Sequence, residues 1–305
     1  MKSILPIPVL LALLTAGAFA QNEISRTAEA VFVGPASKPL ITYRLSPPPN
    51  SGLPLEAGGY FHPFTTPLGA IVTDFVPADH KHHRGVFLAW VEMHGAVDAD
   101  FWGWGAHAPI KDRRIVNRAV EIKLSGSFII TNEWRAAETV LLVEKTSVTT
   151  RCGKEANVLD LTYWLTPLSE TTLARWAFGG FCVRFPKPGE VTIYNPKGVV
   201  GLPDPSHEKP ESDWPAARWY AATWKNADGA KVGVAIVDDV KNPPSLWHNH
   251  RGVRMLNPAI TAPAEVILKA NTEMVLRYQV VAFDGEVPVV LLDKLASATT
   301  SSETK

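Results

Sequence analysis

Short apolar runs alternate with turn-forming residues along almost the whole chain. Ala30–Val33, Leu40–Leu45, Val86–Val91, Val120–Leu124 and Phe128–Glu133 are apolar throughout or alternate with a period of two. Thr139–Thr150, Val158–Leu165, Phe178–Phe185, Val191–Tyr194, Trp219–Trp224, Lys231–Val237, Val266–Leu268 and Met274–Ala282 continue the pattern. Period two with Pro, Gly, Asn and Asp at the boundaries predicts strands carrying one buried face. Lys225-Asn226-Ala227-Asp228-Gly229 lies between two such runs and predicts a hairpin. Helical periodicity is confined to a short turn at Val289–Ala296. Many close-spaced strands with few short helices predict an all-β fold, a large antiparallel β-sandwich.

The ends differ from this pattern. MKSILPIPVLLALLTAGAFA has a lysine near its start, an apolar stretch and a closing Ala18-Phe19-Ala20, the signature of a secretory signal over residues 1–20. The expected organisation is therefore a cleaved leader, one β-sandwich domain over residues 21–295, and a disordered polar tail over 296–305. The mature chain would begin near Gln21, secreted or periplasmic. No later segment approaches the length of a membrane span. Thirty Lys+Arg balance thirty Asp+Glu, which gives no reason to expect nucleic acid or an anionic membrane as partner. Cys152 and Cys182 are the only cysteines. An oxidising compartment would let them pair, but geometry decides that.

Chemistry concentrates in histidine. Six of nine histidines lie between His62 and His107, and DHKHHRGVFLAW puts His80, His82, His83 and Arg84 at the mouth of an apolar strand. Trp247-His248-Asn249-His250-Arg251-Gly252 holds a second group, and His207 stands apart in the long polar loop Leu202–Pro215. Imidazole changes protonation near neutral pH, so such clusters suit proton transfer, metal binding or polar recognition. Read as extended backbone, Asp79–Arg84 would point His80 and His82 to one face and His83 to the other. A divalent metal would need further ligands, with His62, His94, Asp79 and Glu92 nearby in sequence. The sequence requires no cofactor, although a divalent metal is possible. Trp102 and Trp104 stand among glycines in DFWGWG, where they serve equally as a flat wall for a sugar or as a plug for one end of the sandwich.

Candidate catalytic residues are thus His82, His83, Arg84 and His250. Candidate substrate-binding residues are His62, His80, Trp102, Trp104, Trp247, His248 and Arg251. Each arginine follows a histidine and could grip a carboxylate or a pair of hydroxyls, or simply form an ion pair. There is no G-x-S-x-G elbow, phosphate loop or H-E-x-x-H helix. Gly179-Gly180 precedes a strand and predicts a close approach of chain or ligand.

YFHPFTTPLG, DFVPADHKHHRGVFLAW, FWGWG, RWAFGGFCVRF and LWHNHRGVRMLNP, in that order, resemble a family of secreted or periplasmic bacterial proteins that carries the label methane oxygenase PmoA. Lys81 replaces a proline expected there. The resemblance covers nearly all the mature chain and implies bacteria rich in polysaccharide-degrading systems, but brings no catalytic residues with it. Particulate methane monooxygenase subunits are membrane-associated copper proteins, whereas this chain shows only a leader. The β-rich chain also looks like the supersandwich of galactose mutarotase. A carbohydrate substrate with histidine acid–base chemistry (epimerase, lyase or hydrolase) is the expectation. The alternatives are a non-catalytic sugar-binding protein and a copper or iron oxidase.

Overall fold

The computed structural model describes residues 23–35, 37–123, 126–187 and 189–298. The expected leader and residues 299–305 of the expected tail lie outside them. A seven-stranded sheet runs in the order Ile24–Arg26, Ala30–Val33, Ile41–Arg44, Tyr60–Phe64, Val86–Ala89, Gly180–Arg184, Met255–Leu256. A ten-stranded sheet runs Gly198–Val199, Thr192–Asn195, Trp219–Lys225, Lys231–Asp238, Met274–Asp284, Ala156–Pro167, Thr139–Cys152, Ser127–Ala136, Arg113–Ile122, Glu56–Ala57. Pairing is antiparallel except where Glu56–Ala57 lies parallel to Arg113–Ile122. The large antiparallel β-sandwich predicted by the strand pattern is the architecture observed.

Burial alternates residue by residue along Ser127–Ala136, which turns Phe128, Ile130 and Trp134 onto the other sheet. Phe181 of the small sheet stacks on Tyr278 of the large one at 4.2 Å. Tyr43 meets Phe128 edge-on at 6.4 Å. One buried carboxylate crosses this core. Glu144 accepts hydrogen bonds from Trp134 Nε1 (2.8 Å), Asn132 Nδ2 (3.0 Å) and Thr146 Oγ1 (2.8 Å). Those donors replace the water that burial removes.

Differences from the sequence reading have local causes. Tyr60–Phe64 is a strand despite its proline, and Arg113–Ile122 begins well before the apolar run at Val120, because a half-exposed strand tolerates the charges of Arg113 and Arg114. The C-terminal turn is a helix, Val289–Ala298, so order continues past residue 295. It covers the outer face of the large sheet, where Leu292 and Leu295 meet Trp219, Val237 and Phe283. Cys152 ends a strand of the large sheet and Cys182 is buried in the small one; the two are not joined.

Asp79–Arg84 is not extended. His80 N–H donates to Pro77 C=O (3.0 Å) and His83 N–H to His80 C=O (2.9 Å), two successive tight turns. Gly85 then carries the chain into Val86–Ala89 at φ +68°, stitched to Asp74 C=O and Arg184 N–H. A Cβ there would sit 2.1 Å from the Phe61 carbonyl oxygen. Gly85→Ala should therefore cost about 3 kcal/mol or more, a fall in thermal midpoint of roughly 6–12 °C by calorimetry. An unchanged midpoint would show that this junction is not constrained.

Candidate functional site

The two turns change what the histidine run can do. His80 stacks on His83 (5.0 Å, 27°) and His82 meets His83 edge-on (4.6 Å), so the three rings share one face rather than dividing between two. They line a pocket of about 200 Å³ whose other walls are Trp102, Trp104, Phe178, His207, His248, His250, Val253 and Met255. Histidine groups more than 160 positions apart thus converge, together with a histidine that the sequence left isolated.

Backbone ties explain the convergence. The Arg84 guanidinium, fully buried, donates to Phe101 C=O (2.9 Å), Trp102 C=O (3.2 Å) and His82 C=O (3.3 Å). It therefore joins the histidine turns to the tryptophan turn and does not line the pocket. Its expected grip on a substrate gives way to a grip on backbone, since both terminal nitrogens are taken and its face lies over Phe87 at 4.4 Å. Asp100 holds the tryptophan turn from the other side through Gly103 N–H (2.7 Å) and Gly105 N–H (2.6 Å). Asn257 docks the second histidine group. Its Nδ2 donates to Gly179 C=O (3.0 Å) and Phe181 C=O (2.6 Å), its Oδ1 accepts from Gly179 N–H, and its own C=O accepts from His248 N–H (2.9 Å). Gly179 and Gly180, both at positive φ, lie close against Trp90, the close approach expected of the glycine pair.

Three other expected substrate contacts lie off the pocket. His62 hydrogen-bonds Thr73 Oγ1 (3.0 Å) and stacks on Phe75. Trp247 is fully buried against Tyr220 and pairs through its backbone with Trp214. Arg251 donates to Val200 C=O (2.5 Å), Leu202 C=O (2.8 Å) and Asp204 (3.2 Å), pinning the long polar loop. His94 sits apart with Glu92 and Asp98, both at 3.0 Å. Among the described residues no group of three or more His, Cys, Asp or Glu side chains is gathered as a metal ion would need.

The long polar loop supplies what the sequence left unassigned. Asp213 Oδ1 lies 2.7 Å from His248 Nδ1, both side chains buried. Burial, with Glu211 adding, pushes Asp213 up to about 8 and pushes His248 down to about 3. Around neutrality this dyad holds one proton between carboxyl and ring and carries no net charge. Asp204 Oδ2 lies 2.9 Å from His250 Nδ1. Burial raises the Asp204 carboxyl, but His250 and the amides of Gly252 and Arg251 outweigh it and hold the group ionised, well below the usual range. Val253 N–H also reaches His250 Nδ1, at 3.1 Å. The two contacts ask opposite things of Nδ1, and the shorter, charged one decides. The proton is assigned to Nδ1, facing Asp204, and the lone pair to Nε2, so that the Val253 amide packs against Nδ1 without a hydrogen bond.

On the opposite wall His83 has the opposite bias. His83 Nδ1 faces Arg184 Nη1 at 3.2 Å, and Arg184 Nη2 donates to Asp79 Oδ1 at 2.8 Å. Burial, then the charges of His82 and Arg184, hold His83 well below its ordinary value. Burial likewise takes His82 down to about 3. On one wall an ionised carboxylate backs His250 and a neutral carboxyl backs His248; on the other a guanidinium backs His83, while His80 Nδ1 lies 3.2 Å from Asp79 Oδ2. Trp176, its Nε1 fixed by Glu92 Oε2 (2.7 Å), stands edge-on to Trp104 at 6.1 Å and extends the aromatic wall outward.

A comparison with family models matches residues 31–297 to a family of unknown function. The chain belongs to the family DUF6807. A comparison with curated proteins gives no match. Among solved structures, this DUF6807 protein is similar to a galactose mutarotase related enzyme from Lactobacillus acidophilus. Identity is 7%, coverage 87% of this chain and 97% of that one, and the TM-score 0.36. It is also similar to a TPR-domain containing protein from Parabacteroides distasonis (8% identity, 86% and 46% covered, TM-score 0.38). A polysaccharide lyase follows at 10% identity, with 87% and 33% covered and a TM-score of 0.33. The DUF6807 chain therefore spans less than half of the second structure and a third of the third. At these scores the likenesses say nothing about the pocket.

The neutral rings have a measurable sign. Free imidazoles take up protons from about pH 6.5 downward, whereas His82 and His248 wait until about 3. What their neutral packing contributes to stability is complete above about pH 6.5 and is lost as pH falls toward 3. The Cε1–H resonances of His82, His83 and His248 should hold their neutral positions from about pH 8 to about pH 5. A midpoint near 6.5 for any of them would mean that the ring is solvated.

Proposed function

We propose that this DUF6807 protein is a secreted or periplasmic enzyme that performs histidine acid–base chemistry on a sugar or glycoside. One observation carries the reading: imidazoles from three separate segments face one pocket beside Trp102, Trp104 and Phe178. Aromatic faces pack against sugar C–H surfaces while the polar rim meets hydroxyls. Neutral imidazoles accept a proton and return it. In this reading His250 Nε2, backed by ionised Asp204, is the base. His82 and His83 stand on the donor side, and His80 and His248 bind hydroxyls. Trp104 and Trp176 lie toward the pocket mouth and hold the parts of the substrate that do not react.

The half-buried extension of the aromatic wall at Trp104 and Trp176 also favours a second reading, sugar binding without turnover. An oxidase, as the methane oxygenase label would imply, needs copper or iron. The described residues do not gather ligands for such an ion, so no step is routed through one. No helix among them is long and apolar enough to cross a membrane.

His82 distinguishes catalysis from binding. It makes no side-chain hydrogen bond among the described residues and is half-buried, so His82→Ala should shift stability by less than ~1 kcal/mol, about 2–4 °C. Turnover across a panel of sugars and glycosides, followed by NMR, should drop ~10²–10⁴-fold. His83→Ala is expected to destabilise as well, because it strands the buried Arg184 arm. Ligand bound unchanged in wild type at every pH would favour the binding reading. Secretion predicts a mature N-terminus near Gln21, read by intact mass from the extracellular or periplasmic fraction; retention of the leader in soluble cytosolic protein would contradict it.

A further inference from the structure

The two nitrogens of His83 have unequal fates. A guanidinium only donates, so at 3.2 Å from Arg184 Nη1 the His83 Nδ1 accepts. The proton of the neutral ring is then on Nε2, which has no hydrogen-bond partner among the described residues. Arg184 cannot turn away to release Nδ1. It is fully buried, its second arm is bound to Asp79 Oδ1, and its backbone lies in the strand Gly180–Arg184. Protonating Nδ1 would set an imidazolium against a guanidinium. His83 therefore offers the pocket a donor and never an acceptor.

A second donor of the same kind stands beside it. Trp102, with no surface exposed, lines the pocket edge-on to His83 at 5.5 Å, and its Nε1–H is buried without a partner. Indole also donates only. Its N–H lies beneath the surface that a ligand touches, so it adds no acceptor to the wall beside His83. Hydroxyls can be served by acceptors or donors alike. A carbonyl oxygen, and still more an enolate oxygen, takes donors alone. Neutral imidazole is well suited to that role because it stabilises the developing charge without surrendering a proton.

We infer that the pocket takes a carbonyl-bearing sugar, a lactone or keto ring, with its oxygen on His83 Nε2–H, and that His250 removes the proton from the adjacent carbon. The inference rests on the acid–base sugar reading and narrows it. The C–H bond breaks, its electron pair forms a C–C π bond, and the carbonyl π pair moves to oxygen. The proton goes to His250 Nε2, giving an imidazolium whose Nδ1–H bonds Asp204. Returning the proton to the same face restores the substrate and, in D₂O, exchanges that hydrogen. Alternatively the enolate oxygen re-forms the carbonyl and the π pair shifts to the next C–C bond. The oxygen substituent leaves there as an alcohol or water with the proton held on His250, which completes an elimination. Neither route needs an oxidant or a metal.

The test uses the intact protein with a panel of pyranose lactones, such as freshly dissolved D-glucono-1,5-lactone, against carbonyl-free partners such as 1,5-anhydroglucitol. Resting histidine nitrogen shifts should report Nε2–H for His83, and an Nδ1–H tautomer overturns the inference without any ligand. A lactone should bind at least ~10-fold more tightly than its carbonyl-free partner, and its C=O stretch should move to lower frequency. In D₂O, the C–H beside the carbonyl should exchange. His83→Leu should lose the preference and slow exchange by ~10²–10³-fold, whereas His83→Gln, which keeps an N–H near the same place, retains part of both. If carbonyl-free sugars bind as well and no stretch shifts, the carbonyl inference fails and the sugar reading stands. If neither class binds, both fail. The wild-type measurements decide the matter even if the variants do not fold.

Discussion

The buried guanidinium of Arg84 is the interaction on which the pocket depends. It hydrogen-bonds three backbone carbonyls, those of His82, Phe101 and Trp102, from a position with no solvent access. Bonds from a charged donor contribute about 1.5–3 kcal/mol each, and a buried carbonyl left without one is costly. Burial lowers the Arg84 pKa only to about 10, so the cation persists at neutral pH. The histidine turns and the tryptophan turn therefore take fixed positions relative to each other and to the strand Val86–Ala89. Rings carried on loops gain the definition that loops ordinarily lack.

A second buried arginine sets the chemistry. Arg184 lies in the next strand of the sheet and reaches His83 and Asp79. The polar loop between Leu202 and Pro215 brings Asp204 and Asp213 to the facing histidines. Identical side chains thereby acquire different roles. A cation behind one ring fixes it as a donor, and an ionised carboxylate behind another leaves the lone pair on its free nitrogen. The apolar share of the lining keeps these fields strong by excluding water.

Much of this was legible in the residues. Period-two burial along Ser127–Ala136 and the hairpin at Lys225–Gly229 follow from local pattern and turn chemistry, which act over a few residues. The two histidine groups and Trp102 were visible as unusual composition. Four of the candidate residues lie off the pocket for a shared reason. Arg84, Trp247 and Arg251 look like pocket residues because they neighbour histidines in sequence, and His62 because it is one, yet each spends its polar or aromatic group on the protein itself. Conversely, His207, Asp204, Asp213 and Arg184 gave no local signal, since their partners are 35 to more than 100 positions away.

What the sequence by itself determined is the β-sandwich, the strand boundaries near turn residues, and the presence of more imidazole than surface solvation requires. These follow from periodicity and composition, which are properties of contiguous residues. Which rings face one another, which nitrogen carries the proton, and which arginine became scaffold were decided only by the tertiary structure. Hydrogen bonds between residues brought together by sheet order depend on separations of a few tenths of an ångström, and no local pattern encodes those.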